Sequence, residues 1–289
     1  MNIFNMDFFG TFTNWVTAFI SSILLLFNVT TVSSTAPKID LNDYQLVFSD
    51  EFDGTKLNRD IWCSHNKEGL RKGGYWVGNQ ATVKDGNLII RTEYKDGKFG
   101  VGWYTAGICT KQAFNHKYGY YECRCKLPEG EGLWSAFWLQ NYDAAHKVTM
   151  TGRTGQEIDV FESPYYYLGG EKSWKVTSNI HYSGYDLFTK YHNVGITQLD
   201  NNPYRNFNTY GLKWTEDEYV FYVNGFEVAR SSYGGVSRAE EFLILSCEVD
   251  GAAAKPTFGW SGDMRNNDES SFTADFVVDY VRVYDLKQN

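Results

Sequence analysis

From residue 44 onward, apolar and polar positions alternate in short runs broken by turn residues, the period of half-buried strands rather than of helices. Leu88-Ile89-Ile90-Arg91-Thr92 follows the turn Asp85-Gly86-Asn87, and a strand starting at Tyr120 runs to Leu127, where Pro128 stops it. Tyr219-Val220-Phe221-Tyr222-Val223 meets Asn224-Gly225. That pair suits a two-residue hairpin, whose central positions need positive φ. Phe226 to Ala229 then returns, and a last strand is expected over 276–284. No sustained helical period, internal repeat or Pro- or Ser-rich linker follows residue 40. The pattern predicts an all-β fold, a two-sheet antiparallel β-sandwich or jelly roll, as one domain over residues 40–289. Stretches 141–155, 163–174, 184–208 and 251–271 lack the alternation and are expected as cleft-forming loops.

The N-terminus is different in kind. Residues 1–37 hold no Lys or Arg, and the apolar stretch Ala18 to Val32 is broken by Ser21, Ser22 and Asn28. That is too short and interrupted for a membrane span. It reads as the apolar part of a signal peptide, with Ser34-Thr35-Ala36 as a small-x-small cleavage site, although the usual basic start is missing. Residues 1–36 are therefore expected to be an export segment of a secreted protein, with an uncleaved anchor as the alternative. The chain carries 27 basic and 35 acidic side chains, a net charge of -8, which excludes a nucleic-acid surface and suits a neutral partner. Aromatics reach 17%, more than a core alone calls for, and their flat faces suit the apolar faces of sugar rings. Five cysteines leave at least one unpaired within the chain, and none has zinc-ligand spacing. They read as small buried residues, and a disulfide between neighbouring strands stays open.

The segment Glu157-Ile158-Asp159-Val160-Phe161-Glu162 concentrates three carboxylates on one β-prone stretch. Alternation puts Glu157 and Asp159 on one face and Glu162 on the other. One extra residue taken up as a β-bulge near Val160-Phe161 would return Glu162 to the face of Glu157. Paired carboxylates on one face are what hydrolysis of a glycosidic bond requires. Without such a bulge the segment is an ordinary half-exposed strand.

The chain resembles the family-16 glycoside hydrolases, the laminarinase, lichenase and agarase group. Its anchors are Ser49-Asp50-Glu51-Phe52-Asp53, Tyr118-Gly119-Tyr120-Tyr121-Glu122, Gly132-Leu133-Trp134-Ser135-Ala136-Phe137-Trp138-Leu139, the carboxylate segment, and Val278-Asp279-Tyr280-Val281-Arg282-Val283-Tyr284. The resemblance implies a concanavalin-like jelly roll with a sugar groove and double displacement. Glu157 would be the nucleophile, Glu162 the general acid/base, and Asp159 the residue between them. It also implies Trp134, Trp138, Asn179, His181 and Glu248 on the groove side. Trp103 and Trp260 are expected as loop tryptophans capping subsites. A structural calcium ion is implied at Asp279 and the backbone of Glu51 and Gly86; no other cofactor is expected.

Two departures bear on substrate. Ile108 stands where many members carry Arg, removing a donor near the groove, and Glu248 stands where an aromatic or small apolar residue is common. The extra residue in the carboxylate segment resembles laminarinases, agarases and carrageenases rather than lichenases. The expected function is a secreted, monomeric, retaining endo-hydrolase of a β-linked polysaccharide, with β-1,3-glucan leading. The alternatives are a β-galactan hydrolase for agar-like, carrageenan-like or host glycans, a transglycosylase, and a non-catalytic glycan-binding module. Loop cations Lys147, Arg153, Lys172 and Lys190 would either meet sulfate groups or lie on solvated surface.

Overall fold

The computed structural model describes residues 29–166, 174–185 and 188–287. Most of the expected export segment therefore lies outside the described residues. Its last part does not: Val29–Thr31 pairs in parallel with Ile196 to Gln198 as an edge strand. Among the described residues no helix is long and apolar enough to cross a membrane.

The strands form two stacked sheets, as the alternation predicts. One orders Val29–Thr31, Lys190–Gln198, Lys175–Tyr182, Glu157–Pro164, Leu133–Gln140, Glu241–Val249, Gly107–Cys109 and Cys63–Ser64. The other centres on Gly119–Lys126, Thr273–Leu286 and Asn87–Gly97. Between them lies the main core. Phe137, Leu139, Ile158, Phe161, Leu243 and Leu245 of the first sheet are buried in one cluster with Tyr210, Leu212, Phe276, Val281 and Val283 of the second. Phe161 packs on Tyr210 with ring centroids 4.2 Å apart. Each such side chain contributes roughly 1.5–3 kcal/mol through burial.

The Asn224-Gly225 hairpin forms as expected, with φ 53° and 79° and strands Tyr219–Val223 and Phe226–Ser231 on either side. The expected loop over 184–208 needs correction, because Lys190–Gln198 is a nine-residue strand. It lies one strand from the sheet edge and is exposed at its start. Its polar residues on both faces gave no alternation to read. The 141–155 stretch is irregular apart from the short helix Tyr142–His146 and one helical turn, Gly152–Thr154.

Candidate active site

The outer face of the first sheet carries a cleft of about 850 Å³. Its floor follows from strand alternation. Trp134, Ala136, Trp138 and Gln140 point into it from one strand, and Thr177, Asn179 and His181 from another. Between these two strands runs Glu157–Pro164.

The bulge is present where the alternation requires it. Gln140 pairs with Glu157 and Ala136 with Glu162. On the other side His181 pairs with Glu157 and Thr177 with Glu162. Both neighbours advance by four positions where the carboxylate strand advances by five. Val160 and Phe161 are both buried in the core, so Glu157, Asp159 and Glu162 all face the cleft. Four effective steps put the two glutamate Cα atoms roughly 13 Å apart, a span that inward-leaning side chains narrow. Ser178 Oγ donates to the Val160 carbonyl at 2.9 Å, pairing an oxygen at the irregular point of the ladder.

Each carboxylate has its own partners. Gln140 Nε2 donates to Glu157 Oε2 at 2.9 Å and also to the Tyr185 hydroxyl. Asn179 Nδ2 donates to Glu162 Oε2 at 2.5 Å. Asn179 is itself oriented by donors on its Oδ1, the Tyr191 hydroxyl at 3.1 Å and Asn193 Nδ2 at 2.8 Å. His181 Nε2 lies 3.3 Å from Asp159 Oδ2 and 4.0 Å from Glu157 Oε1. Desolvation pushes the carboxyls of Glu157, Asp159 and Glu162 up to about 8. Repulsion from Asp159 raises the two glutamates further, while His181 opposes both shifts. Close negative charges that share a desolvated floor cannot all ionise together. Such a set holds a proton at neutral pH on one carboxyl beside another that ionises, the requirement for acid and nucleophile side by side.

The walls carry the expected aromatics. Trp138 Nε1 donates to Ser246 Oγ at 3.1 Å, and His65 packs edge-on against Trp138 at 5.0 Å. Trp134 meets Trp260 at 4.8 Å, nearly perpendicular. Trp260 belongs to a loop held by the buried Asp250, whose carboxylate accepts from Thr257 Oγ1 and from the backbone amides of Gly259 and Ser261. Glu248 is also in the cleft, as expected, but it is charge-compensated. Arg71 Nε and Lys72 Nζ both reach its Oε1, at 2.7 and 3.0 Å, and Lys72 also lies over the Trp134 ring at 4.0 Å.

Trp103 is a correction. It sits on strand Gly100–Thr105, is buried, and packs on Tyr94 and Phe272 in the core, so it caps no subsite. Of the loop cations, Lys147, Arg153 and Lys190 do not line the cleft, Arg153 standing in the helical turn Gly152–Thr154. Lys147 pairs with Asp143, Lys190 opens a strand, and Lys172 lies outside the described residues. Sequence reading missed Arg71, Lys72, Gln140, Tyr191, Asn193 and Ser246. Gln140 and Ser246 share a face with Trp138 and Glu248 by simple alternation and were legible in principle.

Register brings Glu51, Gly86 and Asp279 toward one another on the opposite sheet, since Asp50 pairs with Val281 and Leu88 with Val278. The single side-chain donor of that set is already engaged, with Asp279 Oδ2 2.5 Å from Arg124 Nη1. The Glu51 carboxylate is likewise held by Arg282. Calcium would find two backbone carbonyls and one compensated carboxylate, a poor set for a cation that takes six to eight oxygens.

Comparison with known proteins fits this site. The family model for the β-porphyranase A–D GH16 domain matches residues 44–286. The endo-1,3-1,4-β-glycanase ExsH of Rhizobium meliloti is 28% identical over 184 residues, 63% of this chain and 34% of that protein. The keratan-sulfate endo-1,4-β-galactosidase of Sphingobacterium multivorum is 28% identical over 276 residues, 90% of this chain and 58% of that protein. The chain thus spans between 34% and 58% of the length of these two curated relatives. Among solved structures, SCLam, a non-specific endo-β-1,3(4)-glucanase from family GH16, superposes with a TM-score of 0.68 at 26% identity, covering 90% of this chain and 97% of that one.

Proposed function

The chain belongs to glycoside hydrolase family 16, and from that premise we propose that it is an endo-acting, retaining hydrolase of a β-linked polysaccharide. The observation that carries the proposal is the Val160 bulge, which sets Glu157 and Glu162 on one face of an open cleft. Glu162, hydrogen-bonded to Asn179, protonates the glycosidic oxygen as Glu157 attacks the anomeric carbon. The ester so formed removes the charge of Glu157, which lets Glu162 ionise and draw a proton from water, and the second displacement restores the original anomer. Asp159, between the two, keeps a negative neighbour beside the acid while His181 limits how far the trio resists ionisation.

The first reading of the substrate is β-1,3-glucan, supported by the glucanase relatives. A β-galactan is the second. It is favoured by the matching porphyranase model, by the galactosidase relative, and by Arg71 and Lys72 at the Trp134 end of the cleft. Product analysis on laminarin, lichenan, agarose, porphyran, carrageenan and keratan sulfate decides between them. Oligosaccharides from laminarin alone support the first, and products only from the galactans support the second. Anomeric NMR during the first minutes should show the β-product, and an initial α-product would sink the retaining mechanism. Glu157→Gln and Glu162→Gln should each lower kcat by roughly 10³-fold or more with the fold intact. Failure of all substrates with a folded wild-type protein would favour a glycan-binding module.

We also place the protein outside the cell as a monomer, on the strength of its polysaccharide substrate and the apolar N-terminal sequence. Edman sequencing of secreted material starting near residue 37 is the expected result. The calcium expectation becomes a weak site, in the ~10⁻⁴–10⁻³ M range of loosely built ones. A large Tm rise at micromolar calcium would overturn that.

A further inference from the structure

We propose that Cys63 and Cys109 are a site of thiol oxidation, closing to a disulfide that fastens the last strand of the groove sheet to its neighbour. The two are register partners between strands Cys63–Ser64 and Gly107–Cys109, and their Sγ atoms lie 3.6 Å apart. Directly paired residues of antiparallel strands have Cα atoms about 4.5–5.5 Å apart, within the ~4.4–6.8 Å that disulfides span. Side-chain rotation is enough to close the bond, and the backbone stays where it is.

Access and order of attack also follow. Of the five free cysteines, Cys63 is half-buried and the other four are buried, so Cys63 is the thiol that a reagent in solution reaches. Burial pushes the Cys109 thiol up to about 12, which suits it to the second step rather than the first. The Cys63 thiolate attacks a small-molecule disulfide such as oxidised glutathione, and one thiol leaves. Cys109, after giving up its proton, attacks the Cys63 sulfur and expels the second thiol. Two protein thiols lose two protons and two electrons, and the oxidant is reduced to two thiols.

The bond would act on the cleft wall. Cys63–Ser64 is only two residues long, ends the sheet, and leads into His65, which packs on Trp138. Cys109 and Cys63 themselves pack with Ala136, Trp138, Phe242 and Ile244. A cross-link between residues 46 apart in sequence also removes much freedom from the unfolded chain. The proposal does not depend on the hydrolase reading.

The test is incubation of the native protein with oxidised glutathione at pH 8, then unfolding, alkylation of remaining thiols and mass spectrometry. The expected result is three alkylated thiols in place of five, a linked Cys63–Cys109 peptide pair, and a mass lower by about 2 Da before alkylation. Tm should rise by roughly 5–10 °C and return with dithiothreitol, and Cys63→Ser should show no such response. Five alkylated thiols, glutathione retained on Cys63, linkage of any other pair, or an unchanged Tm in the linked protein would each overturn the proposal.

Discussion

Lys72 shows what a single side chain settles here. Its ammonium is shared between Glu248 and the face of Trp134, and its charge draws the Asp159 and Glu162 carboxyls downward against their desolvation. Removing it in Lys72→Met should raise the pKa of the acid, so the alkaline limb of kcat/KM against pH moves upward by a fraction of a unit. An unmoved limb would show that Lys72 acts only on binding. Glu241 supplies a second case. It is fully buried, its Oε1 accepts from the Gln156 amide at 3.1 Å, and desolvation pushes it up to about 8. Between the ordinary carboxyl value and 8 the fold holds a proton that the unfolded chain releases, so stability falls as pH rises through that window. Glu241→Gln should therefore change little at pH 4 and stabilise by about 2 kcal/mol at pH 8, read by chemical denaturation at both. Equal effects at the two pH values would refute this. The carboxylate trio was legible because residue type, a bulge that plain alternation lacked and the resemblance to family-16 hydrolases together placed it. Arg71 and Lys72 were not, because their partner Glu248 is more than 170 residues away in sequence.

Among the elements, the strand with the extra residue decides most. Its irregularity is echoed next door, where pairing with Lys190–Gln198 shifts between Ser178 and Asn179, the residues that bond to the Val160 carbonyl and to Glu162. Ser178→Ala should leave that carbonyl buried without its hydroxyl donor. The expected cost is about 1–3 kcal/mol of stability and a drop in kcat of roughly tenfold as the carboxylate spacing loosens. A wild-type Tm and kcat would mean the bulge holds without Ser178. The bulge could be foreseen because three carboxylates on one strand make chemical sense only with it. The Lys190–Gln198 strand could not, since polar residues line both of its faces. Trp103 was misplaced for a related reason: glycines around it resemble a loop, yet Gly97 and Gly100 close a hairpin that carries it into the core.

Over the whole molecule, opposing titrations set the pH of greatest stability. Glu157, Asp159, Glu162 and Glu241 are all pushed up to about 8 by desolvation, and together they weaken the fold as pH rises from about 4.5. Carboxylates held low by partners act the other way. Glu51 beside Arg282 and Glu68 beside Lys98 strengthen the fold above the ordinary carboxyl range and lose that effect in acid. These pairs are partly exposed and individually weak. Stability should therefore peak near pH 5 and decline toward pH 8, and a Tm series across pH 4–9 that rises monotonically would contradict the assignment. The sandwich class was legible from the density of short alternating strands. The order of strands within each sheet was not, because alternation gives a face and says nothing about which neighbour a strand takes.

The five-against-four spacing around Val160 has a genetic consequence. Point changes swap side chains and keep the spacing, so a substitution library never tests the spacing itself. Losing the Val160 or Phe161 codon would bring the carboxylate strand to the count of its neighbours, and Glu162, then four residues from Glu157, would keep to the cleft face of a regular strand. Deleting the Val160 codon should thus leave measurable turnover, as a deletion in the exposed loop near residue 268 does, whereas deleting the codon of Glu157 or Glu162 abolishes it; a Val160 deletion that folds and is wholly inactive would show that the bulge sets more than the face.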